Sequence, residues 1–289
     1  MSTFLTLNRV RSLLDEYGLA AKKKYGQNFL VEGNILNRIV DSLPSPNIDY
    51  IVEIGAGLGS LTQALADKGY QVLAVEVDTD FCPLLAAAFA GYDNAKFKFT
   101  DILAEDIEKL LPEAFSLPEI PAYQVCANIP YHITSPIIFK LLQECPHMQS
   151  ATLMMQREVA ERILAVPGNK NYGRLTVNCN YHAASRCLFK VSRNCFFPRP
   201  EVDSAMLQLI PYHQNKPLTV IGEAIFHSLI HHAFQKRRKT VLNITSEFFN
   251  CSKVKAETIL TALGIKSNLR PENLSVAQWI NLTDAFAQY

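Results

Sequence analysis

The sequence predicts an α/β protein, a mostly parallel sheet covered by helices and followed by a small helical domain. Three observations predict it. Between Tyr50 and Ile210 short apolar runs alternate with helix-length segments, the pattern of strands buried on both faces. The first of these runs passes through a glycine-rich loop into a helix, and the second ends in an acid. After Pro211 a short polar stretch, 212–217, leads into segments spaced as helices rather than strands.

In chain order, residues 1–45 form a basic, partly helical lead-in. Residues 46–212 form the sheet domain, with strands expected at 51–54, 71–75, 96–99, 124–127, 152–155, 177–182 and 204–210. Helices are expected at 60–68, 81–89, 136–144 and 157–165. Residues 213–289 form the helical domain, where Phe226, Leu229, Ile230 and Phe234 share one face.

The composition sets bounds on function. The chain has 289 residues, 48% of them hydrophobic, so it can bury a core without disulfides. Its 28 Lys plus Arg against 27 Asp plus Glu leave a net charge of +1, and only local clustering of charge can indicate a partner. No apolar run approaches the roughly 18–20 residues that span a bilayer, and residues 1–19 lack a signal peptide's apolar stretch. A cytoplasmic protein that meets no membrane is therefore expected, and separately a monomer. The 7 cysteines form no CxxC pair and read as reduced, mostly buried thiols.

The segment Ile51-Val-Glu-Ile-Gly-Ala-Gly-Leu-Gly-Ser-Leu-Thr62 is a strand, a loop carrying Gly55, Gly57 and Gly59, and the start of a helix. Glycines let the backbone turn tightly and approach a ligand closely. Glu76 ends the next strand about 20 residues on, where a carboxylate binds ribose hydroxyls. A dinucleotide fingerprint wants its third glycine one position later, where Ser60 stands. Glu53 would also repel a pyrophosphate but could order the turn or meet a cationic amino-acid end. These features favour S-adenosylmethionine over NAD as the cofactor. Asp101 follows the third strand, where it could accept a hydrogen bond from an adenine amino group or cap a helix over 102–110.

Asn128-Ile-Pro-Tyr131 ends the fourth strand. An exocyclic adenine nitrogen is a poor nucleophile, because its lone pair is delocalised into the ring. Two acceptors can localise it: the Asn128 amide oxygen and the Ile129 carbonyl, aimed by a turn that Pro130 stiffens. Tyr131 offers a face on which a flipped-out base can stack.

Together with Tyr25-Gly-Gln-Asn-Phe-Leu30, Tyr172-Gly-Arg-Leu175 and Phe196-Phe-Pro-Arg-Pro-Glu-Val-Asp-Ser204, these motifs closely resemble those of the ribosomal RNA adenine N6,N6-dimethyltransferases, collinearly from Lys22 to the C-terminus. The resemblance implies a Rossmann-like class I methyltransferase sheet. It also implies dimethylation, from S-adenosylmethionine, of two adjacent adenosines near the 3′ end of small-subunit rRNA in an assembling 30S-type subunit. It places Asn28, Leu30, Gly55, Glu76, Asp101 and Asn128 at the cofactor, and Phe196 as the aromatic that stacks on the target adenine opposite Tyr131. Phe197 and Arg199 stand at variable motif positions.

Lys236-Arg-Arg-Lys239 lies in a stretch, 224–246, without acids. Four consecutive cations cannot share a helix face, so they should wrap a helix start or turn and reach several phosphates. A solvated surface run is the plain alternative. Lys22–Lys24 form a second basic patch. His227 and His231 lie four apart without a third ligand, and the evenly spaced Cys179, Cys187 and Cys195 suggest no metal site either. Rival readings are a large-subunit rRNA adenine methyltransferase of the antibiotic-resistance type, a protein glutamine methyltransferase, and a non-catalytic RNA-binding assembly factor.

Overall fold

The computed structural model describes residues 6–45, 47–213 and 222–287. Strand β1, Phe29–Leu30, lies between helix α1, Leu7–Glu16, and helix α2, Gly33–Asp41. The alternating region runs β2 (Tyr50–Ile54), α3 (Ser60–Asp67), β3 (Gln71–Glu76), α4 (Cys82–Ala88), β4 (Ala95–Phe99), α5 (Ile107–Phe115), β5 (Tyr123–Asn128), α6 (Thr134–Glu144), β6 (Met148–Gln156) and α7 (Arg157–Ile163). Then come α8 (Arg174–His182), β7 (Ala183–Val191), β8 (Phe196–Phe197) and β9 (Ser204–Pro211).

The main sheet has the order β4-β3-β2-β5-β6-β9-β7, with β4, β3, β2, β5 and β6 parallel and β9 antiparallel to β6. Val52, Leu73, Ala74, Val125 and Cys126 are buried, as continuous apolar runs in central parallel strands require. At the edge, β4 alternates instead, and its exposed Lys96 and Lys98 protect the unpaired side. The chain leaves β2 towards β3 on one side and later enters β5 on the other. The loops after β2 and β5 therefore open a crevice at the point where the strand order reverses.

One expected strand is a helix. Residues 177–182 alternate as Val-Asn-Cys-Asn-Tyr-His, but they form the end of α8, and the last strand before the motif at 196 is β7 instead. Leu175, Thr176, Val177, Asn178, Cys179, Tyr181 and His182 are all buried. A helix covered nearly all round carries no amphipathic period to read. Asn178 and Asn180 donate their side-chain amides to the carbonyls of Arg174 and Thr176, so polar side chains that break a helical pattern are satisfied within the helix.

The chain divides into two compact units, residues 1–160 with 186–211, and residues 161–185 with 212–289. Linear boundaries at 45/46 and 212/213 do not capture this division. Val10, Leu14, Phe29, Leu36 and Ile39 of the lead-in belong to the core of the first unit. The segment 161–185 brings Tyr172, Val177 and Tyr181 into the core of the second, where the Tyr181 and Phe226 rings stack with centroids 4.4 Å apart. That unit also holds α9 (Glu223–Gln235), α10 (Val241–Phe248), α11 (Lys253–Ala262) and α12 (Val276–Ala287). Thr240 and Ser252 cap α10 and α11 by accepting backbone N–H bonds, as helix N-termini require. Of the polar stretch 212–217, residues 214–217 lie outside the described residues.

All seven cysteines are free, but only Cys126, Cys145 and Cys179 are buried, while Cys82 and Cys187 are exposed. No described helix is long and apolar enough to cross a membrane.

Candidate active site

The crevice after β2 and β5 holds a cavity of about 330 Å³, lined by the glycine loop, the ends of β3 and β5, and the segment before β1. Gly55, Gly57 and Gly59 all have positive φ, at 83°, 54° and 81°. At Gly59 a side chain is excluded twice over, because a Cβ would also lie 2.6 Å from the Phe89 ring. The loop's shape is held by Glu76, which is only 5% exposed. Its Oε2 accepts from Gly57 N at 2.8 Å and its Oε1 from Asp78 N at 2.9 Å. Burial raises the Glu76 pKa above the ordinary carboxylate value, against these hydrogen bonds.

Glu53 also lines the cavity and is 1% exposed. Burial pushes its carboxyl up to about 8, although the Thr62 hydroxyl donates to it at 2.5 Å. Two buried carboxylates short of positive partners therefore face one cavity, which suits a ligand carrying positive charge and ribose hydroxyls and does not suit a pyrophosphate. Asp101 lines the same cavity, where its Oδ1 accepts from Leu103 N at 2.9 Å. It closes a local turn and caps no helix, since α5 starts later and Asp106 is its N-cap. Asn28 and Leu30 line the same cavity.

Asn128 stands at the end of β5, and its Nδ2 donates to the Asn28 carbonyl at 3.0 Å. A carbonyl can only accept, so the side-chain orientation is fixed and Oδ1 is left as the acceptor. Ile129 N donates to Met154 O at 3.0 Å, while the Pro130 carbonyl accepts from Ile133 N at 3.2 Å. Among the described residues no hydrogen bond ends on the Ile129 carbonyl or on Asn128 Oδ1. Ile129, Pro130 and Tyr131 line the cavity, and the Tyr131 hydroxyl lies 2.8 Å from Ser204 Oγ, which anchors the ring. The expected pair of acceptors and the aromatic wall thus share one cavity with the glycine loop.

Phe196 differs. It pairs in β8 against Leu30 of β1, is 4% exposed, and is not among the residues lining the cavity. Its ring packs in the core of the first unit. Sequence reasoning missed the residues that hold the segment before β1, namely Lys22, Gln27 and Asp78. Lys22 reaches Asp78 at 2.6 Å and Asp80 at 2.5 Å, and Gln27 donates to Asp78 at 2.9 Å. The acid two residues after Glu76 was the available signal. The expected basic patch at 22–24 is correspondingly reduced, since Lys22 is committed to two carboxylates.

The sequence pattern of the ribosomal RNA adenine dimethylase family matches residues 18–288. The chain belongs to this family. It is 37% identical over 285 residues to the ribosomal RNA small subunit methyltransferase A of Geobacillus kaustophilus, covering 98% of this chain and 96% of that protein. The corresponding protein of Listeria innocua is 36% identical over 288 residues, 98% of this chain and 97% of its own. Among solved structures, a dimethyladenosine transferase from Plasmodium falciparum superposes with a TM-score of 0.73 at 27% identity, over 88% of this chain and 95% of that one. The 23S rRNA methyltransferase ErmE gives 0.67 at 25% identity, over 90% and 100%. The sheet is thus that of a class I methyltransferase.

In this adenine dimethylase the basic run 236–239 occupies the turn between α9 and α10, as four consecutive cations demand. Three of the four are engaged with acids. Lys236 and Lys239 both pair with Glu247, and Arg237 lies 3.9 Å from Glu272 while donating to Lys170 O at 3.3 Å. The two lysines hold the Glu247 carboxyl down at about 2. Arg238 is exposed and has no acid paired with it among the described residues. His231 Nδ1 lies 2.8 Å from Arg174, whereas His227 gathers with His182 and Glu223, their potential ligand atoms within 4.8 Å of one another. Each of these three has further partners, and His227 Nδ1 bonds to Asn178 at 2.5 Å.

Proposed function

We propose that this chain dimethylates N6 of two adjacent adenosines near the 3′ end of small-subunit rRNA, acting on an assembling subunit in the cytoplasm as a monomer. The observation that carries the reading is the pair of uncommitted acceptors, Asn128 Oδ1 and the Ile129 carbonyl, at a cavity that the glycine loop also lines. The curated relatives, named for the small subunit, support this substrate over the large-subunit alternative.

The residues present fit S-adenosylmethionine: Glu76, Asp101 and Glu53 line one cavity, where they would meet the ribose hydroxyls, the adenine amino group and the cationic end. When bound, that cofactor supplies an electrophilic methyl group on a sulfonium. Asn128 and Ile129 would each accept one N–H of the target amine, turning its lone pair out of conjugation with the ring. Tyr131, its hydroxyl tied to Ser204, would hold the flipped base by its face. Phe196 would complete that grip only once its ring is uncovered. Asn28 Nδ2 donates to Gly26 O at 2.9 Å, fixing the turn from which the Asn28 carbonyl orients Asn128. The rate enhancement comes from positioning and exclusion of water, without a strong base. The product ammonium is acidic enough to lose its proton to water.

The exposed cations of the 236–239 turn, Arg238 foremost, would contact RNA phosphates. The test is incubation of the protein with labelled S-adenosylmethionine and immature small or large subunits, followed by mapping of modified bases. Paired dimethyladenosines near the small-subunit 3′ end are expected. Label confined to large-subunit RNA, or no label in either, refutes the proposal.

A further inference from the structure

Asp78 is 2% exposed, yet its carboxyl is paired with the Lys22 ammonium. Burial opposes the carboxylate charge, but hydrogen bonds from Lys22 and Gln27 outweigh it and hold the group below its ordinary value. Such a buried charge is costly to retain unless it is paired and hydrogen-bonded. Here Oδ1 takes the Lys22 ammonium at 2.6 Å and Asp80 N at 3.3 Å, and Oδ2 takes the Gln27 amide at 2.9 Å. The backbone of Asp78 is held in turn by Glu76, the acid placed for ribose, through Asp78 N.

The two partners of Asp78 bracket one segment. Lys22 N donates to the Gln27 amide oxygen at 2.7 Å, so the Gln27 side chain braces residues 22–27 into a closed loop and spends both its polar ends doing so. At Gly26 the backbone has φ 61°, and a Cβ would stand 3.1 Å from His132 Nδ1, in the turn just after Asn128-Ile-Pro-Tyr131. The next residue but one is Asn28, whose carbonyl fixes the Asn128 amide. A continuous series of hydrogen bonds therefore runs from Glu76 through Asp78, Gln27 and the loop to Asn128.

We infer that Asp78 is a positioning residue for methyl transfer, clamping the 22–28 loop so that the Asn28 carbonyl turns the Asn128 Oδ1 towards the target amine. This rests on the role given above to Asn128. Released from the clamp, the loop can shift by about an ångström, and a misplacement of that size at a reacting centre costs on the order of 100-fold in rate. Asp78 does not itself line the cavity, but the loop it clamps carries Asn28, so cofactor affinity should fall too, by less than the rate does.

The test compares single-turnover methylation at saturating cofactor and RNA in the wild type, Asp78→Asn, Lys22→Gln, Lys22→Arg, the Asp78→Asn/Lys22→Gln double variant and Asn128→Ala, with cofactor affinity and melting temperature for each. In Asp78→Asn the new amide would have to turn its NH2 towards a donor, either Lys22 or Gln27, which breaks the clamp without changing size. The expected result is a rate about 10- to 100-fold lower in Asp78→Asn at saturating cofactor and RNA, with a smaller loss of cofactor affinity and a protein that is still folded but melts lower. Lys22→Gln should move the same way, Lys22→Arg should restore what Lys22→Gln loses, and the double variant should be no slower than Asp78→Asn. A wild-type rate in Asp78→Asn beside an inactive Asn128→Ala overturns the inference. So does a loss of affinity as large as the loss of rate, or a Lys22→Arg rate as low as that of Lys22→Gln. A wild-type rate in Asn128→Ala overturns instead the reading on which it rests. Should Asp78→Asn fail to fold, the two Lys22 variants decide alone.

Discussion

Glu53→Gln should make the protein without cofactor more stable at alkaline pH and remove a pH dependence that the wild type carries. Glu53 sits in β2 opposite Cys126 of β5, 1% exposed, with the Thr62 hydroxyl as its hydrogen-bond donor and Glu76 as a second buried acid nearby. Cys126 is itself pushed up by burial and by Glu53. Among the described residues no cation faces the carboxyl, and burial raises its pKa from 4.5 to about 8. The folded state then binds the proton more tightly than the unfolded chain does. Stability from this group is complete at low pH and is lost as pH rises through the window from 4.5 to about 8. Each pH unit is worth about 1.4 kcal/mol, which gives an upper bound near 5 kcal/mol across the window. Gln keeps an oxygen for the Thr62 hydroxyl and does not titrate. Urea unfolding of both proteins from pH 5 to 8.5 cancels the titrating groups that do not interact with Glu53 and leaves as the difference the contribution of Glu53 with its coupling to Glu76 and Cys126. The wild type should lose stability relative to Glu53→Gln by roughly 1 kcal/mol per pH unit, and less when saturated with S-adenosylmethionine, whose positive charge stabilises the ionised acid. Parallel pH profiles would show that Glu53 ionises freely and that the account of the cavity is wrong.

Four further outcomes are expected. Glu76→Ala should weaken S-adenosylmethionine binding by about 1.5–3 kcal/mol in calorimetry, the value of a charged hydrogen bond, and unchanged affinity would remove the ribose assignment. Asn128→Ala should lose most single-turnover methylation while RNA affinity, measured by filter binding, stays near the wild-type value. Phe196 is buried, so Phe196→Ala should cost about 3–5 kcal/mol of stability in urea unfolding, and Phe196→Leu is the cleaner probe of base stacking, worth roughly 1–3 kcal/mol in RNA affinity. In a salt series, Arg238→Gln should flatten the slope of RNA affinity by about one phosphate contact. Lys236→Gln and Lys239→Gln should each flatten it less, because Glu247 already neutralises them.

What the sequence determined by itself is what local chemistry determines. Gly55, Gly57 and Gly59 between an apolar run and a helix specify a ligand-hugging turn whatever packs around it, since only glycine takes those backbone angles without strain. Asn128-Ile-Pro-Tyr131 after a strand likewise announces its acceptors, because the tetrapeptide's own geometry frees the Ile129 carbonyl. The central strands were legible because both faces are buried, which leaves unbroken apolar runs. The same burial hid α8, where core on all sides erased the helical period and left an accidental alternation at 177–182. Tertiary structure alone decided which charges remain available. Glu247 and Glu272 are 8 to 35 positions further along the chain from the lysines and arginine they engage, so no inspection of Lys236-Arg-Arg-Lys239 could show that Arg238 stands apart. It alone decided, too, that Phe196 faces the core and that Asp78 closes on Lys22 across 56 residues of chain. Contacts between segments so distant depend on how the helices of the second unit pack and how the strands of the first are ordered, and both are properties of the packed unit rather than of any segment within it.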